Sequence, residues 1–445
     1  MGLRRMIAVW AAKLTEKISV HIFHKQGVTW AGKIAMKICP DILTQLAAQV
    51  KEGIFIVCGT NGKTTTNNML CAALEEEGKK VVCNHTGSNM LNGVAASMVL
   101  AAGWSGNLNA DFACLEVDEA STRRVFPFFK PDYMVLTNLF RDQLDRYGEI
   151  DTTMHILNDM MKSAPNMKVI VNADDALSAF IAVDAGNKLL PFGINEQVMH
   201  EETNEVREGR FCKHCGAPLK YEFYHYSQLG KYACTNCDFK RPDTVYNAED
   251  IDIDNGINFS VDGYRIHANY KGFYNVYNIL AAYAAGRSAG LEMSHFNDML
   301  KKFNPENGRM ETFRIKDTEV ILNLAKNPAG FNQNIQAVMQ DERKKDLIIS
   351  INDKEQDGID VSWLWDVDFD RFAEDSIESI TVCGIRRYDM GLRLKYVDIQ
   401  ASIEDEIETA INKCVENGTG VLYMLVNYTA LGGTRSILKR LEEQK

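Results

Sequence analysis

The sequence has no apolar run approaching the roughly 20 residues that a membrane-spanning helix requires. It has no internal repeat and no low-complexity tract. Positive charge is not in excess either: 49 Lys and Arg stand against 60 Asp and Glu, a net charge of −11. That balance argues against a broad nucleic-acid surface and leaves room for a small anionic substrate in a local basic site. The N-terminus is not expected to be a secretory leader, because no sufficiently long uncharged core precedes a cleavage site. Nor is there an obvious disulfide framework. The cysteines number eleven, an odd count, and seven are scattered in apolar or strand-like runs, Cys58 and Cys383 among them, as expected of reduced thiols used as small core residues. These absences imply a cytoplasmic protein.

What is present, at 445 residues and 46% hydrophobic, is enough to build sizeable cores in two or three domains. Residues 1–50 read as a helical segment. Ile7, Trp10, Leu14 and Ile18 recur at helical spacing, with Lys13 and Lys17 on other faces. Such a helix could touch anionic lipid or pack on the protein body, and packing is the expectation.

The run Gly59-Thr60-Asn61-Gly62-Lys63-Thr64-Thr65 follows the apolar stretch Ile54 to Cys58 and precedes a helix-like segment from Thr64 to Glu77. A strand that delivers a glycine turn into a helix N-terminus aims backbone N–H groups and a positive dipole end at one point, as a nucleotide phosphate requires. The spacing departs from the common phosphate loop, which would place glycine where Val57 stands. Lys63 would reach the outer phosphates of ATP, and the hydroxyl of Thr64 or Thr65 would ligate magnesium. A plain loop is the alternative, but strand, turn and helix agree.

Cys212 and Cys215 form one CxxC pair, and Cys234 and Cys237 form a second after an eighteen-residue gap. Two such knuckles place four thiolates around zinc at zinc-ribbon separation. Four sulfur ligands leave no position for water, so the ion would be structural. His214, between the first two cysteines, is the less favoured substitute ligand. The ribbon would span about 205–242. Lys240 and Arg241 beside it raise the question of nucleic acid, but the acidic whole favours a structural insert.

Short apolar strands alternate with helical stretches between residues 53 and 185: Phe55 to Cys58, Lys79 to Cys83, Phe112 to Val117, Asp132 to Leu136 and Lys168 to Val171. That rhythm predicts an α/β fold, a largely parallel sheet with helices on both faces and ligands beyond the carboxyl ends of its strands. After the ribbon come a strand-like stretch, Ile257 to Ala268, and a helix from Asn275 to Ala289. A second series has strands at Glu319 to Leu324, Asp346 to Ile351, Ser379 to Cys383 and Gly420 to Val426, with a charged helix near Ser402 to Glu416. A smaller α/β domain is therefore expected from residue 310 to 445, after an ATP-binding domain over 51–309.

Further strings resemble the Mur ligase family, ATP-dependent enzymes that join amino acids to peptidoglycan precursors through an acyl phosphate. Besides the glycine turn these are Thr86-Gly87-Ser88-Asn89-Met90, Leu115-Glu116-Val117-Asp118-Glu119, Thr137-Asn138-Leu139 with Asp142-Gln143-Leu144-Asp145, Asn275-Val276-Tyr277-Asn278, and Gly308-Arg309-Met310-Glu311. The resemblance implies a central ATPase domain and a smaller Rossmann-like C-terminal domain. It implies magnesium on Glu116, adenine contacts from Asn278 and Asn275, and a terminal-phosphate contact from Arg309. Two departures stand out. Gln143 replaces the family's usual histidine, and Asn323-Leu324-Ala325-Lys326-Asn327-Pro328 lacks the usual aspartate and histidine before Asn-Pro.

Only about fifty residues precede the turn, too few for the family's domain that holds UDP-linked substrates. Together with the ribbon and Asp357-Gly358-Ile359-Asp360-Val361-Ser362-Trp363, this is similar to one branch, the synthetase (MurT) subunits of lipid II isoglutaminyl synthase. That resemblance implies amidation of the α-carboxylate of D-glutamate in the lipid II stem peptide to D-isoglutamine, with ammonia from a GatD-like glutaminase in a heterodimer. It implies a cytoplasmic enzyme with a peripheral seat at the inner face of the membrane open to it. Neither Cys58 nor Cys383 has the strand-to-helix setting of a glutaminase nucleophile, which also points to a separate partner. An aspartate of the C-terminal domain, Asp357 and then Asp360, would orient the partner's histidine. The rivals are a stand-alone folylpolyglutamate synthase-type ligase, which would carry no ribbon, and a nucleic-acid-binding ATPase reading through the ribbon.

Overall fold

The structure is a computed structural model that describes residues 2–23, 28–85, 88–142, 149–199, 207–254, 256–303 and 310–443. It resolves into two compact units, each described by itself.

The first unit opens with three helices, α1 (Gly2–Phe23), α2 (Val28–Ile38) and α3 (Ile42–Ala47). α1 rests on α2, and α2 on the later helix of residues 91–101. The face of α1 that packs is not the one expected. Ala8, Val9 and Ala12 are fully buried, whereas Ile7, Trp10, Leu14 and Ile18 point outward. Small side chains let helix backbones approach closely, and on this helix they lie opposite the large apolar ones.

A nine-stranded sheet follows. Its strands are β1 (Val50–Cys58), β2 (Val81–Cys83), β3 (Ala110–Glu116), β4 (Tyr133–Leu136), β5 (Lys168–Asn172) and β6 (Lys188–Ile194), and later β9 (Tyr246–Asp252), β10 (Ile257–Val261) and β11 (Tyr264–Ala268). The spatial order is β11-β10-β9-β6-β5-β4-β1-β3-β2. Pairs from β2 to β9 are parallel, and only the β9–β10–β11 end is antiparallel. The intervening helices are α4 (Lys63–Glu76), α5 (Leu91–Ala101), α6 (Thr122–Val125), α7 (Ile150–Lys162), α8 (Ala176–Ala185), α9 (Tyr274–Ser288) and α10 (Phe296–Lys302). β1 lies between β3 and β4, so the chain leaves it in one direction toward β3 and β2 and in the other toward β4 and β5. That reversal of strand order is where open α/β sheets make their ligand crevice. α9 is buried from Asn275 to Gly286, which explains its almost unbroken apolar and small-residue sequence.

The strand-like stretch after the ribbon is a hairpin, Val261 pairing with Tyr264 across a tight turn. Two cysteines depart from the expectation of reduced thiols: Cys71 on α4 and Cys83 on β2 are joined as a disulfide, Cα to Cα 6.4 Å. Packing of α4 against β2 brings together positions whose neighbourhood no local pattern reveals. Cys39, Cys58, Cys114, Cys383 and Cys414 are buried free thiols, as expected.

The ribbon is a separate hairpin, β7 (Leu219–Tyr226) and β8 (Leu229–Cys234). Leu219, Tyr232 and Cys212 pack on Ala176 and Ala179 of α8. At its tip Gln228 is fully buried and donates to Leu139 O at 2.8 Å and to Asp175 Oδ1 at 2.7 Å.

The second unit holds a six-stranded sheet, order β12-β13-β17-β14-β15-β16, parallel except at β12. Its strands are β12 (Glu311–Ile315), β13 (Thr318–Leu324), β14 (Lys345–Ser350), β15 (Ile377–Cys383), β16 (Ser402–Ile403) and β17 (Val421–Val426). Its helices are α11 (Pro328–Met339), α12 (Arg387–Lys395), α13 (Ile407–Asn417) and α14 (Tyr428–Glu443). The charged helix expected from Ser402 begins only at Ile407, because Ser402 and Ile403 pair with Thr381 and Val382 as an edge strand. Two apolar clusters include opposite-facing residues of the central strands, such as Leu347 and Ile349 in one and Ile348 in the other.

Candidate functional site

The glycine turn leaves the carboxyl end of β1, and its neighbours supply the clamp. Thr60 N–H donates to Asn138 O at 2.8 Å, Asn61 N–H to Asn138 Oδ1 at 2.9 Å, and Thr137 Oγ1–H to Asn61 O at 2.7 Å. Thr137 and Asn138 follow β4 directly, so the β1–β4 pairing places the clamp. Gly59 has φ +126° and Gly62 +85°, conformations that disfavour side chains. A Cβ on Gly59 would lie 2.2 Å from Thr137 Oγ1, and one on Gly62 would lie 2.2 Å from Asn278 Oδ1. Gly62 caps α4, whose first residues are Lys63, Thr64 and Thr65, with Thr64 half-buried and Thr65 buried. The orphan N–H groups of that first turn form the anion-binding end of the helix.

Lys63 is buried and donates through Nζ to Gly59 O at 2.5 Å and to Glu119 Oε1 at 3.0 Å. Glu119 Oε1 also accepts the Gly59 N–H at 2.7 Å. Burial pushes the Glu119 carboxyl up, and the Lys63 charge opposes that shift. Glu119 was not marked by the sequence as a site residue. It stands in the string that carries Glu116, but its fold back onto the turn depends on the tight bend that leads into α6.

Glu116 ends β3, held through both backbone groups by the Asn84 side chain at 2.8 Å each. Its Oε1 accepts from Asn89 Nδ2 at 3.0 Å, and its Oε2 is buried without a hydrogen-bond partner. An orphaned buried carboxylate oxygen is costly unless a cation or donor completes it, so Glu116 fits a magnesium ligand. In the β1–β3 register Glu116 is opposite Val57 of β1, the strand that runs into the glycine turn.

On α9, Asn278 packs against Gly62 and donates to Asn275 Oδ1 at 3.0 Å. The structure therefore brings Gly59 to Thr65, Glu116, Glu119, Asn275 and Asn278 together at the ends of three adjacent strands. Arg309, Thr86, Gly87 and Gln143 to Asp145 lie outside the described residues. Asn327 caps α11 with Pro328 behind it, accepting the Gly330 N–H at 2.8 Å, and Asn323 bonds Asn334 rather than standing open.

The four ribbon cysteines converge as expected, every sulfur within 4.8 Å of the others, Cys212 to Cys237 at 3.7 Å and Cys215 to Cys234 at 3.4 Å. A tetrahedron with Zn–S bonds of about 2.3 Å has edges of about 3.8 Å, so the donor set fits zinc. His214 is exposed and is not part of the cluster. Arg241 is not available to nucleic acid: it is buried, its Nε 2.6 Å from Asp174 Oδ1 and its other nitrogens on Asn195 Oδ1 and Ile194 O.

In the second unit Asp357 is buried, and its carboxylate accepts from the backbone N–H of Thr429 at 2.8 Å and from the Thr429 hydroxyl. It therefore tethers the first turn of α14. Asp360 is part-exposed and accepts the Ser362 N–H at 2.8 Å, which holds its carboxyl below the usual range. Burial pushes the Cys58 thiol well up, and Cys383 up to about 12.

The family described as "Mur ligase middle domain" matches residues 57–239, and "MurT ligase C-terminal" matches 324–431. The MurT subunit of lipid II isoglutaminyl synthase (glutamine-hydrolyzing) from Staphylococcus aureus strain COL is 34% identical over 440 residues, 98% of each chain. The Streptococcus pneumoniae R6 subunit of the same name is 34% identical, over 93% of this chain and 92% of the relative. Among solved structures, a pseudomurein peptide ligase type C from Methanothermus fervidus shares the fold with a TM-score of 0.70 at 22% identity, covering 89% of this chain and 80% of that one. MurF ligase from Thermotoga maritima in complex with ADP does so with a TM-score of 0.61 at 14% identity, covering 93% and 85%. Carried by near-complete coverage and by a glycine turn held by Glu119 on one side and Thr137 on the other, the conclusion is that this chain belongs to the Mur ligase family of ATP-dependent ligases, in its MurT branch.

Proposed function

We propose that the chain amidates the α-carboxylate of D-glutamate in the stem peptide of lipid II, through an acyl phosphate, with ammonia supplied by a GatD-like glutaminase subunit. The observation that carries the reading is the turn Gly59 to Thr65 with the unpartnered Glu116 oxygen beside it, a seat for a nucleoside triphosphate and its cation in a chain 34% identical to named MurT subunits. On this reading residues 51–309 use ATP and 310–445 meet the partner.

A carboxylate is a poor electrophile, and ammonia is mostly protonated at neutral pH. In the first step a substrate carboxylate oxygen attacks the terminal phosphorus and ADP leaves. In the second the ammonia lone pair attacks the acyl carbon, phosphate leaves with the bonding electrons, and a proton is released. Lys63 and the N–H groups of the α4 first turn would stabilise charge on the moving phosphoryl group. Magnesium, held by Glu116 and Thr64, would supply further charge neutralisation. Asn275 and Asn278 would position the adenine and Arg309 the terminal phosphate. Zinc would hold the ribbon. Asp357, or Asp360 after it, would orient the partner's histidine. A triad carboxylate works from a fixed rotamer, which Thr429 imposes on Asp357 while leaving a lone pair on each oxygen.

The test is co-purification with the products of neighbouring genes, followed by an assay for an amide gained on lipid II. Gain that requires both ATP and glutamine, with ADP released, supports the reading. ATP-dependent addition of a whole amino acid by the chain alone would favour the folylpolyglutamate synthase-type alternative.

A further inference from the structure

α1 is apolar on two sides. Ala8, Val9 and Ala12 close on the protein body, while Leu3, Ile7, Trp10, Leu14 and Ile18, spaced by three or four residues, form a second stripe turned to solvent and 39 to 67% exposed. A helix that needed only to pack would carry polar side chains there. Trp104, 59% exposed, extends the stripe sideways, since its carbonyl accepts from Trp10 Nε1 at 2.7 Å.

The rim of the stripe is cationic. By helical position Arg4 lies on one flank and Lys13 and Lys17 on the other, the two lysines over the Trp104 ring at 5.6 and 5.9 Å. Residues 1–39 hold seven Lys and Arg and a single carboxylate, Glu16, in a chain whose net charge is −11. That local inversion of sign opposes the long-range repulsion an acidic protein would meet at an anionic surface. The helix is also no candidate for crossing a bilayer, for no described helix is long and apolar enough.

We infer that the outward stripe of α1, with Trp104 beside it, lies in the headgroup region of an anionic phospholipid bilayer, the helix parallel to the surface. Leu, Ile and Trp side chains enter the acyl boundary, and the flanking cations meet lipid phosphates. The inference is independent of the amidation reading, because it rests on α1 alone and its test involves no turnover.

The experiment is sedimentation of the full chain with sucrose-loaded vesicles, in phosphatidylcholine alone and with about one quarter phosphatidylglycerol. Binding is expected to the anionic vesicles, weak binding to the neutral ones, and loss at high salt. Leu3→Ser with Leu14→Ser, and separately Lys17→Glu, should each weaken partitioning by about fivefold or more with an unchanged melting temperature. Equal partitioning of these variants and the parent, or no binding by the parent, overturns the inference. So does a dimer in solution that Leu3→Ser with Leu14→Ser converts to monomer, which would assign the stripe to a second copy.

Discussion

Lys63 Nζ sits 3.0 Å from Glu119 Oε1, both side chains buried, and the same oxygen receives the Gly59 N–H, so one carboxylate holds both ends of the phosphate turn. Such a pair contributes more to geometry than to net stability, since desolvation offsets most of its attraction. Breaking it is another matter.

Lys63→Ala should lower ATP-dependent turnover by about 10²- to 10³-fold, the scale for losing one preorganised donor at a transition state. It should also cost about 3–5 kcal/mol of stability, because Glu119 is left buried and unpaired. Without the lysine the upward push of burial on Glu119 loses its largest opposing cause. A buried carboxyl with a raised pKa binds protons in the folded state that the unfolded state has released, so stability falls as pH rises above the ordinary Glu value. The melting deficit of Lys63→Ala should accordingly be larger at pH 8 than at pH 5, and an equal deficit at both would refute the pairing. Lys63→Ala combined with Glu119→Gln, which removes both charges and keeps an acceptor for the Gly59 N–H, should melt closer to the parent than Lys63→Ala alone.

Asp357→Asn in the complex with the glutaminase should reduce glutamine hydrolysis by about 10²- to 10⁴-fold while ATP binding survives, as loss of a triad orienter does. Amidation driven by added ammonium should persist. Asp360→Asn is the companion variant. Unchanged hydrolysis with both would remove this turn from the partner's site. Loss of the charged acceptor for Thr429 should also lower stability, by about 1 kcal/mol.

Removing zinc should act at a distance from the four cysteines. The ribbon tip bonds Leu139 O through Gln228 and packs on α8, so chelation or Cys215→Ser should release one metal per chain and weaken amide-exchange protection in β7 and β8. Protection in β1, inside the sheet, should remain. Full protection of β7 and β8 in metal-free protein would show the metal to be dispensable.

The second unit carries an acid-sensitive carboxylate. Burial raises the Asp341 pKa, but hydrogen bonds from Arg343 and from Tyr423 Oη at 2.9 Å outweigh it and bring the group down to about 2. A depressed carboxylate stabilises the fold above its unfolded value, 3.8, and that contribution is lost as pH falls toward 2. With Arg343 half exposed, screening reduces the term to about 1 kcal/mol. Asp341→Asn should flatten this part of the acid-unfolding curve, and an unaltered curve between pH 4 and 2 would count against it.

Elements whose cause is local could be read from the chain. The turn Gly59 to Thr65 was legible because its glycines, lysine and threonines are contiguous and bracketed by a strand and a helix. The parallel strands were legible from continuous apolar runs, and the four-cysteine cluster from two CxxC spacings. Glu119 was not, because its role depends on a bend that returns it to Gly59. The Cys71–Cys83 disulfide was not, because twelve residues and a helix separate the pair. Asp357 could be seen as a turn residue, but its tether to Thr429 spans 72 positions.

By itself the sequence determined the α/β alternation, the glycine turn between strand and helix, the four clustered cysteines and the family, since each depends on side-chain type at short, regular spacing. Tertiary structure alone decided which face of α1 is buried, which carboxylate meets Lys63, that one Glu116 oxygen is buried without a hydrogen-bond partner, and that Arg241 is held inside. The reason is physical: periodicity shows that a helix has an apolar face but not which neighbour covers it. Pairing of distant groups depends on strand order and helix approach, quantities that no short window of residues contains.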